Sequence, residues 1–292
     1  MHLQKSFSAN EYGKLYLVPT PIGNLEDMTF RAVNQLKAVQ LILAEDTRHT
    51  IKLLNHFYID TPMQSFHEHS SNAQVEKYIA MLLQGTDIAL VSDAGMPLIN
   101  DPGHPLVQAA LMQKISVVAL PGANAALTAL VASGLPAERF TYYGFFPREL
   151  KGQKQVLALI GDRAETAIFY ESPYRVAKSI AVMMKYLHQD TQVVVARELT
   201  KQYEEYLRGT LIQVNEWVAE HDIKGECVLL IEGGRALESS SDKITDQSLS
   251  LREQVTQYMQ TYQVSSKEAI KEIAKLNQIR KQIVYQEYHE TD

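Results

Sequence analysis

Leu15-Tyr16-Leu17-Val18-Pro19-Thr20-Pro21-Ile22-Gly23-Asn24 runs a short apolar segment straight into a turn with two prolines and a Gly-Asn. A helical pattern follows around Thr29–Lys37. A strand that feeds a tight turn and then a helix is the opening unit of an α/β fold. Ligands dock at such corners because the backbone N–H groups there have no partner within the sheet. The turn lacks G-x-G-x-x-G and is not followed by Gly-Lys-Ser/Thr, so neither a dinucleotide fingerprint nor a P-loop accounts for it.

The same unit recurs. Leu41–Ala44 precedes Glu45-Asp46-Thr47-Arg48-His49 and a helix through Leu54. Ile88–Val91 precedes Ser92-Asp93-Ala94-Gly95-Met96-Pro97, and Val117–Leu120 precedes Pro121-Gly122-Ala123-Asn124. Near-continuous apolar strands alternating with helices predict a mostly parallel sheet covered on both faces. Beyond Pro147-Arg148-Glu149-Leu150-Lys151-Gly152-Gln153-Lys154, read as a link, come strands at Ala167–Tyr170, Gln192–Ala196 and Glu226–Ile231. Val176–Leu187 has helical period, and Tyr203–Leu211 reads as an edge strand or loop. The expected organisation is an N-terminal α/β domain over 1–146, a second α/β domain with a mixed sheet over 147–237, and a helical appendage over 247–292.

In that appendage Leu251, Val255, Met259 and Tyr262 repeat at helical spacing, after the polar linker Glu238–Lys243. Ser265-Ser266-Lys267-Glu268 fits a capping box. Lys267, Lys271 and Lys275 then fall on one helix face, opposite Ile270, Ile273 and Ala274. Residues 267–281 hold five basic and two acidic side chains, a local +3 in a chain of net charge −6. Bulk electrostatics therefore cannot hold nucleic acid, but this patch could, if it is more than a solvated helix face.

With 46% apolar and 21% charged residues the composition is that of a globular protein. The single cysteine, Cys227, lies in an apolar run and reads as a buried strand residue, which excludes a disulfide framework and a cysteine-built metal site. His67-Glu68-His69 has no clear third ligand and reads as a polar loop, so no metal is expected. Neither a signal core nor a run of membrane-spanning length stands out, and the expected compartment is the cytoplasm.

The chemistry-bearing residues sit where strands end. Asp93 follows an apolar strand directly, within a long loop of turn formers that continues through Asn100-Asp101-Pro102-Gly103. Glu45, Asp46, Arg48 and His49 offer carboxylates, a guanidinium and an imidazole together, although Asp46 could serve only as a helix cap. Arg197 and Lys201 follow a second-domain strand and could reach an anionic substrate.

Seven ordered stretches carry a family resemblance: 18–25 (VPTPIGNL), 44–50 (AEDTRHT), 90–103 (LVSDAGMPLINDPG), 120–126 (LPGANAA), 169–173 (FYESP), 196–201 (ARELTK) and 224–226 (KGE). Together they resemble the bacterial 16S ribosomal RNA (cytidine-2′-O)-methyltransferases, RsmI type, of the tetrapyrrole-methylase superfamily. The likeness covers about residues 14–234. It implies a two-domain α/β enzyme holding S-adenosylmethionine between its domains through backbone and small side chains. By motif position the cofactor residues would be Ile22, Asp93, Met96, Asn124, Ala125, Tyr170, Ala196 and Glu226. Tyr174 and Ser70 depart from the family pattern, which usually has His and Asn there.

The implied reaction is attack of a ribose 2′-hydroxyl on the sulfonium methyl. Glu45, Asp46, His49 and Glu198 are the candidate proton acceptors. Arg48, Arg175, Arg197 and Lys201 are the candidate phosphate contacts, with Lys271 and Lys275 reaching RNA from the appendage. The expected partner is 16S rRNA or the small ribosomal subunit, and the expected assembly a homodimer. Two alternatives stay open: a tetrapyrrole methyltransferase, and a non-catalytic RNA-binding protein of ribosome assembly.

Overall fold

The computed structural model describes residues 3–7, 11–67, 70–237, 249–262, 264–277 and 279–289. The first lobe is built on five strands: β1 (Leu15–Leu17), β2 (Leu41–Ala44), β3 (Met63–Ser65), β4 (Ile88–Val91) and β5 (Val117–Ala119). They lie in the order β3-β2-β4-β1-β5, every pair parallel. The runs Leu-Ile-Leu-Ala and Ile-Ala-Leu-Val are buried at every position, as central strands covered on both faces must be. Helices α1 (Phe30–Ala38), α2 (Thr47–His56), α3 (Asn72–Leu83) and α4 (His104–Met112) connect them. Thr29 and Asp46 cap α1 and α2 by accepting backbone N–H groups, so Asp46 is a helix cap. Because all five strands point one way, the loops after β1, β2, β4 and β5 gather at one sheet edge.

The next helix changes lobe. α5 (Ala125–Ser133) reads Ala-Ala-Leu-Thr-Ala-Leu-Val-Ala-Ser, and Asn124 caps it by accepting the Leu127 N–H at 3.0 Å. Its Ala126, Ala129 and Leu130 pack on Ile168, Val194, Val228 and Leu230 of the second sheet. Burying a leucine such as Leu130 stabilises that docking by about 1.5–3 kcal/mol. The second sheet comprises β6 (Phe140–Phe145), β7 (Thr166–Glu171), β8 (Gln192–Arg197), β9 (Glu205–Thr210) and β10 (Cys227–Ile231), in the order β6-β7-β10-β8-β9. β6 and β7 are parallel, and the other pairs are antiparallel. Helices α6 (Leu150–Asp162), α7 (Pro173–Met183) and α8 (Leu211–Glu220) cover its far face, burying Leu157, Ile160, Val176, Ile180 and Val214.

The mixed second sheet and its edge strand match expectation, but the boundary at 146/147 does not. β6 pairs with β7 through Phe140↔Thr166 and Tyr142↔Ile168 and so belongs to the second sheet. Residues 151–154 of the expected link lie inside α6. The chain passes between sheets at 120–124, because the apolar surface of α5 needs the second sheet to cover it. That loop is therefore both the interlobe strap and a strand-end loop.

The appendage has its own small core. α9 (Leu251–Tyr262), α10 (Ser266–Leu276) and α11 (Lys281–His289) bury Val255, Ala269, Ile270, Ile273, Ala274 and Val284 together. The expected capping box starts α10, with Ser265 and Glu268 bonded reciprocally. The linker Glu238–Lys243, and Glu68 and His69 of the His-Glu-His stretch, lie outside the described residues. No helix among the described residues is long and apolar enough to cross a membrane.

Candidate active site

The gathered loops of the first sheet face the second sheet across a cavity of about 440 Å³, within the usual range for a small-molecule site. Ile22 comes from the loop after β1, Ala94, Gly95, Met96, Ile99, Asn100 and Asp101 from that after β4, and Asn124 and Ala125 from the strap. Phe145, Tyr170, Glu171, Leu199, Glu226 and Cys227 close it from the second lobe. The first wall is braced from within. Thr20 and Gly95 exchange backbone hydrogen bonds at 2.9 and 3.0 Å, tying the loops after β1 and β4. Gly95 has φ +82°, and a Cβ there would meet Ile22 at 3.3 Å and the Ala123 carbonyl at 3.4 Å. The backbone therefore approaches the cavity as closely as a side-chain-free residue allows.

Contacts also cross the seam. The Tyr142 hydroxyl donates to Asn100 Oδ1 at 2.9 Å, joining β6 to the loop after β4. Lys201 lies against Gly23, and its ammonium donates to Glu198 at 2.8 Å and Glu226 at 2.9 Å. Burial works against the charged Lys201, but these two bonds outweigh it and raise its pKa. Glu198 is held below its ordinary value by the Lys201 bond, and next by the Glu226 N–H.

Six of the eight expected cofactor residues line the cavity: Ile22, Met96, Asn124, Ala125, Tyr170 and Glu226. Asp93 does not; its carboxylate accepts the Asp46 N–H at 3.1 Å and ties the loops after β2 and β4. Ala196 does not either, being fully buried in β8 against α5. Among the expected proton acceptors, Asp46 is committed to Arg48, whose side-chain hydrogen bond draws its pKa down to about 2. His49 is exposed on α2, Glu45 is half-buried beyond the cavity wall, and Glu198 serves Lys201.

The expected phosphate contacts are largely taken up by partners. Arg175 pairs with Glu171 at 3.3 Å and donates to the Phe146 and Pro147 carbonyls. Arg197 pairs with Glu205, and Arg48 with Asp46. Lys271 and Lys275 are exposed on α10, and neither forms an ion pair among the described residues. Tyr174 is 94% exposed.

Several lining residues were not anticipated. Glu171 is buried, accepting the Ser172 N–H at 2.8 Å and the Ser179 hydroxyl at 2.7 Å. Cys227 is buried as expected yet also lines the cavity, and burial pushes its thiol up to about 12, which keeps it protonated. Asp101 lines it too, half-buried. Burial first, and then the Glu45 carboxylate, raise the Asp101 pKa to about 7. Only its position in an Asn-Asp-Pro-Gly turn after a strand could have flagged it.

Residues 14–215 match the model of the Tetrapyrrole (Corrin/Porphyrin) Methylases. The chain is 47% identical over 293 residues to the ribosomal RNA small subunit methyltransferase I of Streptococcus pyogenes serotype M1, covering 99% of this chain and all of the relative. It is 46% identical over 287 residues to the protein of the same name from Bacillus subtilis, covering 98% of both chains. Among solved structures it resembles the uroporphyrin-III C-methyltransferase of Thermus thermophilus in complex with S-adenosylhomocysteine. That match has a TM-score of 0.54 at 16% identity and covers 75% of this chain and 97% of the other.

Proposed function

The chain belongs to the tetrapyrrole methylase family, among the small-subunit ribosomal RNA methyltransferases, and from that premise we propose its reaction. It methylates the 2′-hydroxyl of a cytidine ribose in 16S rRNA, drawing the methyl group from S-adenosylmethionine in the seam cavity. The observation that carries this reading is full-length similarity. The Streptococcus pyogenes and Bacillus subtilis rRNA methyltransferases match 98–99% of the chain, whereas the porphyrin enzyme matches 75% of it while being almost wholly covered itself. A porphyrinoid substrate gives no reason for the remainder, whereas an RNA substrate does.

The cavity suits the donor. Ile22, Ala94, Met96 and Ala125 provide an apolar bed, and Gly95 lets the main chain come close. Glu226 at the rim and the Asn124 loop supply polar groups to orient it. When bound, the donor supplies a methyl group already activated by the sulfonium charge. The protein's task is therefore alignment, which can contribute roughly 7–11 kcal/mol. Calorimetry should detect S-adenosylhomocysteine binding at one site per chain. Ribose-methylation mapping in cells lacking the protein should show a single 16S cytidine unmodified. An unchanged methylation map would end this reading.

The α10 lysines extend the RNA surface. Lys267, Lys271 and Lys275 are all exposed and lie on the face opposite the appendage core. Replacing all three with Gln is expected to lower the log–log salt slope of RNA binding by about 2, with cofactor affinity unchanged. An unaltered slope would mean that this face is merely solvated. A cytoplasmic location is supported by the proposed ribosomal RNA substrate. Assembly as a homodimer is supported by Leu127 and Val131, which are exposed on the outer face of α5. Sedimentation velocity would test it.

A further inference from the structure

Methyl transfer to a 2′-hydroxyl needs a group to receive the hydroxyl proton, and none of the four acceptors expected from sequence lines the cavity. The cavity itself presents three carboxylates: Asp101, Glu171 and Glu226. Glu171 is bonded by Ser172, Ser179 and Arg175. Glu226 is paired with Lys201. Asp101 has no ion-pair partner among the described residues. Its position is also fixed: Asn100 beside it is clamped across the seam by Tyr142, in a backbone of φ +66°. On the far side, the chain enters α4 through Gly103, whose Cβ would strike Leu90 at 2.5 Å.

From this geometry, and resting on the methyl-transfer reading above, we propose that Asp101 is the catalytic base that accepts the proton of the attacking ribose 2′-hydroxyl. The 2′-oxygen bonds to the methyl carbon as the carbon–sulfur bond breaks. The pair of that bond stays on sulfur, leaving a neutral thioether, and the hydroxyl proton passes to the Asp101 carboxylate and then to water. The groups facing Asp101 suit a base at neutral pH. Glu45 and Asp93 repel its charge from the first lobe, and Ser92 offsets them in part through a hydrogen bond. From the second lobe come Tyr142 and Tyr170, both held neutral by burial. A carboxyl titrating near 7 is a far better proton acceptor than an ordinary aspartate.

The test compares the full-length wild-type chain with Asp101→Asn and Asp101→Glu, using small subunits as substrate. Single-turnover methylation by Asp101→Asn should fall by about 100-fold or more, with S-adenosylhomocysteine affinity preserved. The acid limb of the wild-type rate profile, near pH 7, should vanish in Asp101→Asn and move in Asp101→Glu. A second readout does not depend on turnover. A carboxyl raised in the folded state binds a proton that the unfolded chain has already lost. The stability that Asp101 contributes should therefore be lost as pH rises from about 4 to about 7, and the difference between wild type and Asp101→Asn should show that loss. An Asp101→Asn rate within about fivefold of wild type, with the same acid limb, overturns the assignment. So does an identical pH dependence of stability in the two proteins. Wild-type protein that binds no S-adenosylhomocysteine overturns the methyl-transfer reading instead.

Discussion

Glu171→Ala is expected to lower stability by about 3–5 kcal/mol, the cost of removing one partner of a buried, hydrogen-bonded pair. The Glu171 side chain is fully buried, and it alone answers the Ser172 N–H, the Ser179 hydroxyl and one face of Arg175. Alanine would leave all three without that acceptor at the wall of the cavity. Thermal unfolding should fall by about 6–20 °C for a chain of this size. Glu171→Gln keeps the shape and one acceptor and should lose clearly less. A drop of under about 2 °C for the alanine variant would show that the trio is satisfied by water.

Gly122→Ala should damage binding more than folding. A Cβ at this position would lie 2.5 Å from Pro19 Cβ and 2.8 Å from its Cγ, and a proline ring cannot turn aside. The loop after β1 and the strap must then separate, and those two segments carry Ile22, Asn124 and Ala125 into the cavity. Overpacking of this kind costs about 1–3 kcal/mol of stability. Displacing this cavity lining by a fraction of an ångström should weaken S-adenosylhomocysteine binding by at least about tenfold. Gly85→Ala is the control. Unlike Gly122 it has positive φ, +91°, and open space around it, so it should lose about 1 kcal/mol from backbone strain and nothing in cofactor affinity. Equal affinities for the two variants would refute the role given to the Pro19–Gly122 approach.

The sequence revealed the first sheet well because its strands are short, wholly apolar and followed by turn formers. Leu41–Ala44 and Ile88–Val91 allow no other reading. β6 escaped because Phe140–Phe145 is nowhere fully buried and carries a register shift, so neither alternation nor an apolar run marks it. α6 escaped because its first turn is polar and holds Gly152, which hid the buried Val156, Leu157 and Ile160 behind it. Motif position picked out six residues that line one cavity, since small residues at strand ends have few other uses. It did not show how the charged ones are paired. Arg175, Arg197 and Arg48 stand near strand ends, but a sequence does not show which carboxylate has already claimed a guanidinium. Asp101 was hidden for the converse reason: its importance comes from lacking such a partner.

All strands of the first sheet precede Leu120 and all those of the second follow Asn124, so one short span of main chain is the sole covalent joint between them. Elsewhere, among the described residues, the halves meet through side-chain and loop contacts such as Tyr142 with Asn100 and Lys201 against Gly23. A molecule wedged into this joint adhesively unites both halves, adding RT ln(1 + [L]/Kd) to their common resistance to melting. Calorimetric scans of the empty enzyme should resolve two overlapping endotherms that fuse into one as the joint is filled.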